Sequence, residues 1–359
     1  MDRTFFKQFG GKVTKELIEE YQKSDNWYKG CFQNLEETNV DMSARKLPSI
    51  LYKQLFTKKN RAPDSAIPVI SFDERLFLEP SDKAKMIWYG HSVLLLRMKE
   101  VNILIDPMLG EDTTPIAPVS NKRFSTGTLS LIDDFPPIDL MVITHDHYDH
   151  LDYASIQKLK NITSRFFVAM GVKRHLVAWG VEPSIITEFD WWEDEEFAGI
   201  KITFTPTRHF SGRGLTDRMK TLWGGWLFHT SEEKIWFSGD GGYGDHFKEI
   251  GKRLGPFDFA FMECGQYNDD WKPIHLFPEE SIQAAMDVGV AKVMPVHWGG
   301  FDLSYQHTWK EPVEEFIHNA QKQNVDFSLP RIGEIFTVNS ILQDHWWIDE
   351  KGSNGKGKK

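Results

Sequence analysis

The runs DLMVIT, IKITFTPTR, KIWFSG and AKVMPV each close on a histidine or an aspartate. His145 and His147 follow the first run, His209 the second, Asp240 the third and His297 the fourth. Short apolar or alternating runs rich in β-branched and aromatic residues read as strands. A sheet holds strand ends rigidly while loops supply variety, so functional groups collect at those ends. The chain is thereby constrained to a sheet architecture that brings several strand ends, and their metal-seeking side chains, to one place.

The remaining pattern fits layered sheets covered by helices. From Lys85 the runs MIWYG, SVLLLRM and NILIDPML form a strand meander, and RFFVAM, WGGWLFHT and FDFAFME add further strands. Helices interrupt them. DYASIQKL has Asp152 as its N-cap, and EPVEEFIHNAQ repeats Val313, Phe316, Ile317 and Ala320 at helical spacing. PEESIQAAMDVG has Pro278 near its start, Gly289 as its stop, and Ile282, Ala285 and Met286 on one face. Residues 1 to about 75 differ in character. There VTKELIEEYQ is a helix whose Val13, Leu17, Ile18 and Tyr21 face the main domain, and KKNRAPDSAIP is loop. The expected organisation is a partly helical N-terminal extension (1–75), a main domain (76–345) and a flexible polar tail (346–359) ending in KGSNGKGKK.

Composition excludes several classes. With 359 residues, 40% hydrophobic and 26% charged, the chain buries a large core. A net charge of -10 argues against a general nucleic-acid binder, which needs a basic surface to displace counterions. Cys31 and Cys264 fit neither a disulfide framework nor a thiolate metal site, so a reducing compartment is expected. MDRTFFKQFGGK lacks the apolar core of a signal peptide, and no stretch approaches the roughly 20 apolar residues of a membrane span. A cytoplasmic protein is expected, with peripheral contact to lipid left open.

Residues 145–152, HDHYDHLD, crowd three histidines and three aspartates behind DLMVIT. His145 and His147 are two apart, so in extended or tightly turned chain both point onto one ion. Asp149 and His150 follow the turn and reach a second ion close by. A polar loop capping the next helix is the alternative, but His209, Asp240 and His297 at other strand ends weigh against it. An imidazole nitrogen or a carboxylate oxygen binds zinc at about 2.0–2.2 Å. This is a metal site by residue type and placement.

The order H-x-H-x-D-H, then a distant His, an Asp and a final His, resembles the metallo-β-lactamase superfamily over about Lys85 to Phe336. The resemblance implies an α/β (α+β) fold, a four-layer αββα sandwich holding two metals at one edge, here with an N-terminal extension. It implies that His145, His147 and His209 hold one metal and that Asp149, His150 and His297 hold the other. Asp240 would bridge both; spacing alone does not divide the ligands. WYGHSVLLLRMKEVNILIDPM, THDHYDHLD, TLWGGW, FSGDGGY, IHLFPEES and PVHWGGF together resemble the branch of N-acyl-phosphatidylethanolamine-hydrolysing phospholipase D, with ascorbate-6-phosphate lactonases as neighbours. In GDGGY, Gly241 departs from the Thr or Ser that these relatives more often carry after the Asp.

Two divalent cations about 3.5–4 Å apart share a water and lower its pKa, which presents hydroxide near neutral pH. Five His and two Asp suit zinc, and the same ligands admit manganese or iron. The two negative charges leave the site net positive, ready for a phosphodiester oxygen or a polarised carbonyl. Asp149 and His275 are the residues assigned to the reaction. His275, in KPIHLFPEE, either donates a proton or hydrogen bond there or only caps the helix at Pro278. Asp146 is divided between function and structure, and His91 between lining the cleft and packing. Asp106 reads as a carboxylate supporting a ligand. Arg208, Arg213 and Lys220 either receive a phosphate head group or are solvated, and His175, His229, His307 and His318 lack a ligand context. The expected activity is hydrolysis of a phosphodiester, with an N-acyl-phosphatidylethanolamine-type phospholipid or a small molecule as substrate. A lactonase or carboxylic ester hydrolase acting on a phosphorylated metabolite is the alternative, and a non-hydrolytic metal sensor or redox protein is a third reading.

Overall fold

The computed structural model describes residues 6–39, 47–57, 60–114, 120–214 and 216–348. Of the expected tail (346–359), residues 349–359 lie outside these, as does the Lys58–Lys59 start of the expected loop, whereas Trp346 and Trp347 pack against Trp298, with ring centroids 5.5 and 5.4 Å away. After helix α1 (Lys15–Tyr21) come the short paired strands β1 (Trp27–Tyr28) and β2 (Cys31–Phe32), then α2 (Leu47–Phe56) and α3 (Glu74–Leu78). One sheet is made from β3 (Lys85–Trp88), β4 (Leu94–Met98), β5 (Val101–Ile105), β6 (Ile138–Ile143), β7 (Thr163–Ala169) and β8 (Ile186–Phe189). A second is made from β9 (Asp194–Phe197), β10 (Ile200–Pro206), β11 (Gly224–His229), β12 (Lys234–Phe237), β13 (Phe257–Glu263), β14 (Val290–Val296) and β15 (Asp326–Phe327). The last strand, β16 (Ile335–Phe336), returns to the first sheet, giving the orders β16-β3-β4-β5-β6-β7-β8 and β15-β14-β13-β12-β11-β10-β9.

Each sheet begins as an antiparallel meander and turns parallel where helices supply the crossovers. In the first sheet β5, β6, β7 and β8 run parallel, and in the second β12, β13, β14 and β15 do. Parallel strands are covered on both faces and therefore read as continuous apolar runs. IDLMVI and FDFAFME fit that rule, each with only its second residue not buried. The sheets meet through aromatic rings: Phe189 of β8 lies 5.3 Å from Trp226 of β11, and Phe259 of β13 lies 6.1 Å from Phe336 of β16. Each such side chain, fully buried, contributes roughly 1.5–3 kcal/mol.

Helix α4 (Tyr153–Leu159) follows β6, and Asp152 caps it by accepting from the backbone N–H of Ala154 (3.2 Å) and Ser155 (2.8 Å). Helix α5 (Lys173–Ala178) follows β7, and α6 (His246–Leu254), α7 (Pro278–Val288) and α8 (Glu311–Gln323) line up beside the second sheet. Val313, Phe316, Ile317 and Ala320 of α8 are buried as their spacing predicts. In α7 the prediction needs one correction: Ile282 and Ala285 are buried, but Met286 is 46% exposed. The buried arc of α7 runs through Ser281, Ile282, Ala284, Ala285 and Val288, placing Met286 past its edge. Among the described residues no helix is long and apolar enough to cross a membrane.

Candidate metal centre

The parallel strands of both sheets point their C-terminal ends to one edge, and the predicted residues gather there. His145 and His147 follow β6, His209 lies just beyond β10, Asp240 just beyond β12, and His297 directly follows β14. His145 Nε2 and His209 Nε2 lie 2.9 and 3.2 Å from His147 Nδ1. Three nitrogens on one tetrahedral zinc, each at about 2.0–2.1 Å, sit about 3.3–3.4 Å apart. His150 Nε2 and His297 Nε2 lie 2.9 and 3.3 Å from Asp240 Oδ2, and 3.5 and 3.9 Å from Asp149 Oδ2. His145, His150 and Asp240 form a further compact group, so the two sets share a boundary.

The outer nitrogen of each ring is fixed by a partner, which decides what the inner nitrogen offers. His209 Nδ1–H donates to the Ile274 carbonyl (2.9 Å), leaving Nε2 an acceptor. Thr144 donates its hydroxyl proton to Asp106 Oδ2 (2.6 Å), so it accepts from His145 Nδ1–H at 3.0 Å and leaves that Nε2 unprotonated. His150 Nδ1–H donates to the same Asp106 oxygen (2.8 Å), and Asp106 Oδ1 accepts from the Thr144 N–H (2.8 Å). Asp106 thus sets two ring orientations at once, and nothing places it among the inward-facing ligands. His297 Nδ1 meets Ser92 Oγ at 3.1 Å.

Burial and the charge of its neighbour His150 keep His145 well below the usual histidine pKa, and burial brings His147 down to about 4. His209 and His297 are held low mainly by burial as well. Neutral imidazoles are the form a metal requires. His150 is the exception: burial opposes its charge, but Asp240, Asp149 and Asp106 outweigh it and lift the group well above its ordinary value. Its Nε2 and that of His297 are buried without a hydrogen bond of acceptable angle, although they face carboxylates. A positive charge belongs between those nitrogens and oxygens, and a divalent cation satisfies that requirement. His91, His297 and Asp106 all have left-handed backbone (φ 55°, 65° and 41°), a conformation non-glycine residues hold at a cost of roughly 1–3 kcal/mol. A reciprocal pair of backbone bonds locks two of them: His297 N–H donates to His91 O (2.9 Å) and His91 N–H to Trp298 O (2.8 Å).

Several residues join the site that the strand-end pattern leaves out or undervalues. His91 Nε2 lies 2.8 Å from Asp149 Oδ2, so His91 grips a candidate ligand rather than merely packing. Glu263, at the end of β13, is a fully buried carboxylate in contact with His275 Nδ1 through Oε1, and its Oε2 accepts from the Gly241 N–H at 2.6 Å. The rule that singled out Asp240 and His297 applies equally to the end of FDFAFME. Gly241 sits close against its neighbours: a Cβ there would lie 3.0 Å from Thr207 Cβ and from the Arg208 N, so a side chain would need them to give by a few tenths of an ångström. Asp146 accepts from Gly212 N–H (2.7 Å) and from His175 Nε2 (3.2 Å). Burial works against its charge, but the His175 bond and Arg174 prevail and lower its pKa. His175 therefore does touch the metal loop, through a fold contact 29 residues away that local sequence does not display.

The basic residues around His209 correct the expectation most clearly. Arg213 is buried, and its Nη1 donates to the carbonyls of Asp146 and Leu151 at 2.7 Å each. Arg208 Nη2 donates to the Glu37 carbonyl (2.8 Å), and Lys220 Nζ donates to the Gly30 carbonyl. All three cations are occupied by backbone oxygens and none is held out to a phosphate; Arg213 is buried, while Arg208 and Lys220 stay partly exposed to solvent.

The cluster opens on a cleft of about 170 Å³. His147, Asp149, Asp240, His275 and His297 form its polar floor, while Phe210, Trp271, Ile274 and Leu303 supply apolar wall.

Comparison with known proteins identifies the family and the fold. A family model described as a beta-lactamase superfamily domain matches residues 101–298. An uncharacterized protein of Mycobacterium tuberculosis is 33% identical over 332 residues, 91% of this chain and 88% of its own. The N-acyl-phosphatidylethanolamine-hydrolyzing phospholipase D 1 of Caenorhabditis elegans is 31% identical over 70% of this chain and 75% of its own length. A solved metallo hydrolase from the archaeon Ignicoccus hospitalis shares the fold, with a TM-score of 0.56 at 21% identity over 71% of this chain and 98% of that one.

Proposed function

The chain belongs to the metallo-β-lactamase superfamily, in the branch similar to N-acyl-phosphatidylethanolamine-hydrolysing phospholipase D, and from that premise we propose that it is a dinuclear zinc phosphodiesterase acting on a phospholipid of that kind. The observation that carries the reading is a three-histidine set and a His–carboxylate set, joined through the group of His145, His150 and Asp240, at a cleft with apolar walls. In this reading His145, His147 and His209 hold one ion, Asp149, His150 and His297 the other, and Asp240 faces both. When bound, two divalent ions acidify a water and take up charge from substrate oxygens. The unpaired state of Cys31 and Cys264 supports a reducing, cytoplasmic setting.

The protein's own side chains supply position and a proton. His91 and Asp106 hold Asp149 and His150 in place from behind. Burial raises Glu263 well above the usual carboxyl range and lowers His275, so the pair holds its proton between Oε1 and Nδ1. The Nε2–H of His275 is then the donor turned to substrate, and its proton goes to the leaving oxygen. Water adds to phosphorus, the P–O bond to the N-acylethanolamine breaks, and phosphatidic acid remains. Phe210, Trp271, Ile274 and Leu303 suit acyl or glyceryl carbon and keep bulk water away.

The test is hydrolysis of N-acyl-phosphatidylethanolamine by zinc-loaded protein, with His147→Ala as the blank. Phosphatidic acid released above the blank is expected. A protein that holds two ions per chain and releases none, yet opens a lactone or ester, would overturn the phosphodiester reading and favour the alternative chemistry.

A further inference from the structure

We propose that the segment over residues 6–39 is a working part of the metal centre, in which Asn34 is the positioning residue of His209. Asn34 makes a two-point contact with the backbone of that histidine. Its Oδ1 accepts from the His209 N–H at 3.0 Å, and its Nδ2 donates to the His209 carbonyl at 2.8 Å. The Trp223 Nε1–H donates to the same Oδ1 at 3.0 Å and fixes which way the amide faces. His209 lies beyond the end of β10, where no ladder partner holds its peptide groups. The amide of Asn34 takes the place of that ladder, and the Ile274 carbonyl fixes the ring from the other side.

The rest of the segment is bound as if to keep Asn34 there. Arg208, beside His209, ties Thr38 Oγ1 (2.9 Å) and the Glu37 carbonyl (2.8 Å), while the Phe32 N–H donates to Met219 O (2.9 Å). The other end of the segment reaches the H-x-H loop. Arg213 Nε donates to the Gln8 carbonyl (2.9 Å) while its Nη1 holds Asp146 and Leu151. Gly11 N–H donates to His175 Nδ1 (3.2 Å), which leaves the proton on Nε2 for Asp146. Only glycine fits: a Cβ on Gly10, at φ +73°, would fall 2.0 Å from His175 Nδ1, and one on Gly11 would fall 2.2 Å from the Arg174 carbonyl. The two glycines and three cations flanking His209 thus serve one purpose, which accounts for charge that substrate binding does not use.

This inference rests on His209 being a metal ligand. The test measures zinc affinity by chelator competition, and the visible spectrum of the cobalt-substituted protein, for the wild type, Asn34→Ala and Asn26→Ala. Asn26 ties the same segment to Asp190 (2.7 Å) but touches no ligand. Asn34→Ala should bind one of the two ions about 10–100-fold more weakly and shift the cobalt bands, as removal of a ligand's support does. Asn26→Ala should keep wild-type affinity and bands. Asn34→Asp, which keeps the acceptor and loses the donor, carries the same comparison if Asn34→Ala does not fold. Wild-type affinity and spectrum in the Asn34 variants, or equal weakening in Asn26→Ala, would overturn the proposal. A wild type that binds fewer than two ions would instead overturn the metal reading beneath it.

Discussion

Asp106→Asn replaces one oxygen by an NH2 group in a fully buried site, and the structure leaves the amide no comfortable orientation. The native carboxylate receives three donors: the Thr144 N–H on Oδ1 at 2.8 Å, and the Thr144 hydroxyl and His150 Nδ1–H on Oδ2 at 2.6 and 2.8 Å. If the amide oxygen takes the Oδ2 place, its NH2 faces a backbone N–H that cannot turn away. Two buried donors are then unsatisfied, at about 1–3 kcal/mol each, so the variant loses about 2–6 kcal/mol of stability. If the oxygen takes the Oδ1 place, the NH2 donates to Thr144 and His150. Thr144 must then turn its proton to His145 Nδ1, so His145 carries its proton on Nε2, and His150 must give up its Nδ1 proton and keep only the one on Nε2, the nitrogen facing the other ligands. Stability is largely kept in that case, and zinc affinity falls by about 10–100-fold. Urea unfolding in chelator reads the first outcome, and zinc competition reads the second. A variant within about 0.5 kcal/mol of wild type that also binds zinc equally well would refute the proton assignment around Asp106.

Two further outcomes test other parts of the site. His275→Ala should retain two ions per chain and lose most turnover on any substrate the wild type cleaves; unchanged turnover would reduce His275 to a helix cap. The ion-free protein should lose stability as pH falls from about 6.5, because His246 is buried and held at about 3 instead of its ordinary 6.5. Below 6.5 the unfolded chain takes up that proton and the folded chain does not, so stability is full above this value and declines down to about 3. At pH 5 the loss is about 2 kcal/mol for such a group. His246→Phe should flatten the slope of urea-derived stability against pH, and an unchanged slope between pH 4 and 6 would contradict the assignment.

How much of this was legible beforehand depends on whether a residue's partner is local. The strands from β3 to β7 and from β10 to β14 announce themselves through apolar runs, and their ends mark the candidate ligands by position alone. The two-residue strands β15 and β16 are too short to carry a period, and β9 is an edge strand of largely acidic sequence, so only the finished sheets reveal them. Met286 was misplaced because helical spacing defines a stripe but not its width, which the neighbouring helices decide. His91, His175 and Asn34 act across separations of 58, 29 and 175 residues, and nothing adjacent in sequence hints at those pairings.

Charge is the property that sequence reads least well, since it gives the sign of a side chain and not its destination. Arg208, Arg213 and Lys220 stand where a phosphate site would be expected, yet the fold spends them on carbonyl groups. None of the described residues that line the cleft is a lysine or arginine. The cation of Arg218, exposed at 4.6 Å over the Phe210 ring, lies at the rim. If the substrate is the proposed phosphodiester, neutralising it at the cleft floor falls to the ions the site would hold, while the apolar walls are indifferent to them. Binding of the phosphate end of a substrate should vanish with chelation, and any affinity that survives should follow the length of the carbon chain, since each buried CH2 contributes roughly 0.8 kcal/mol.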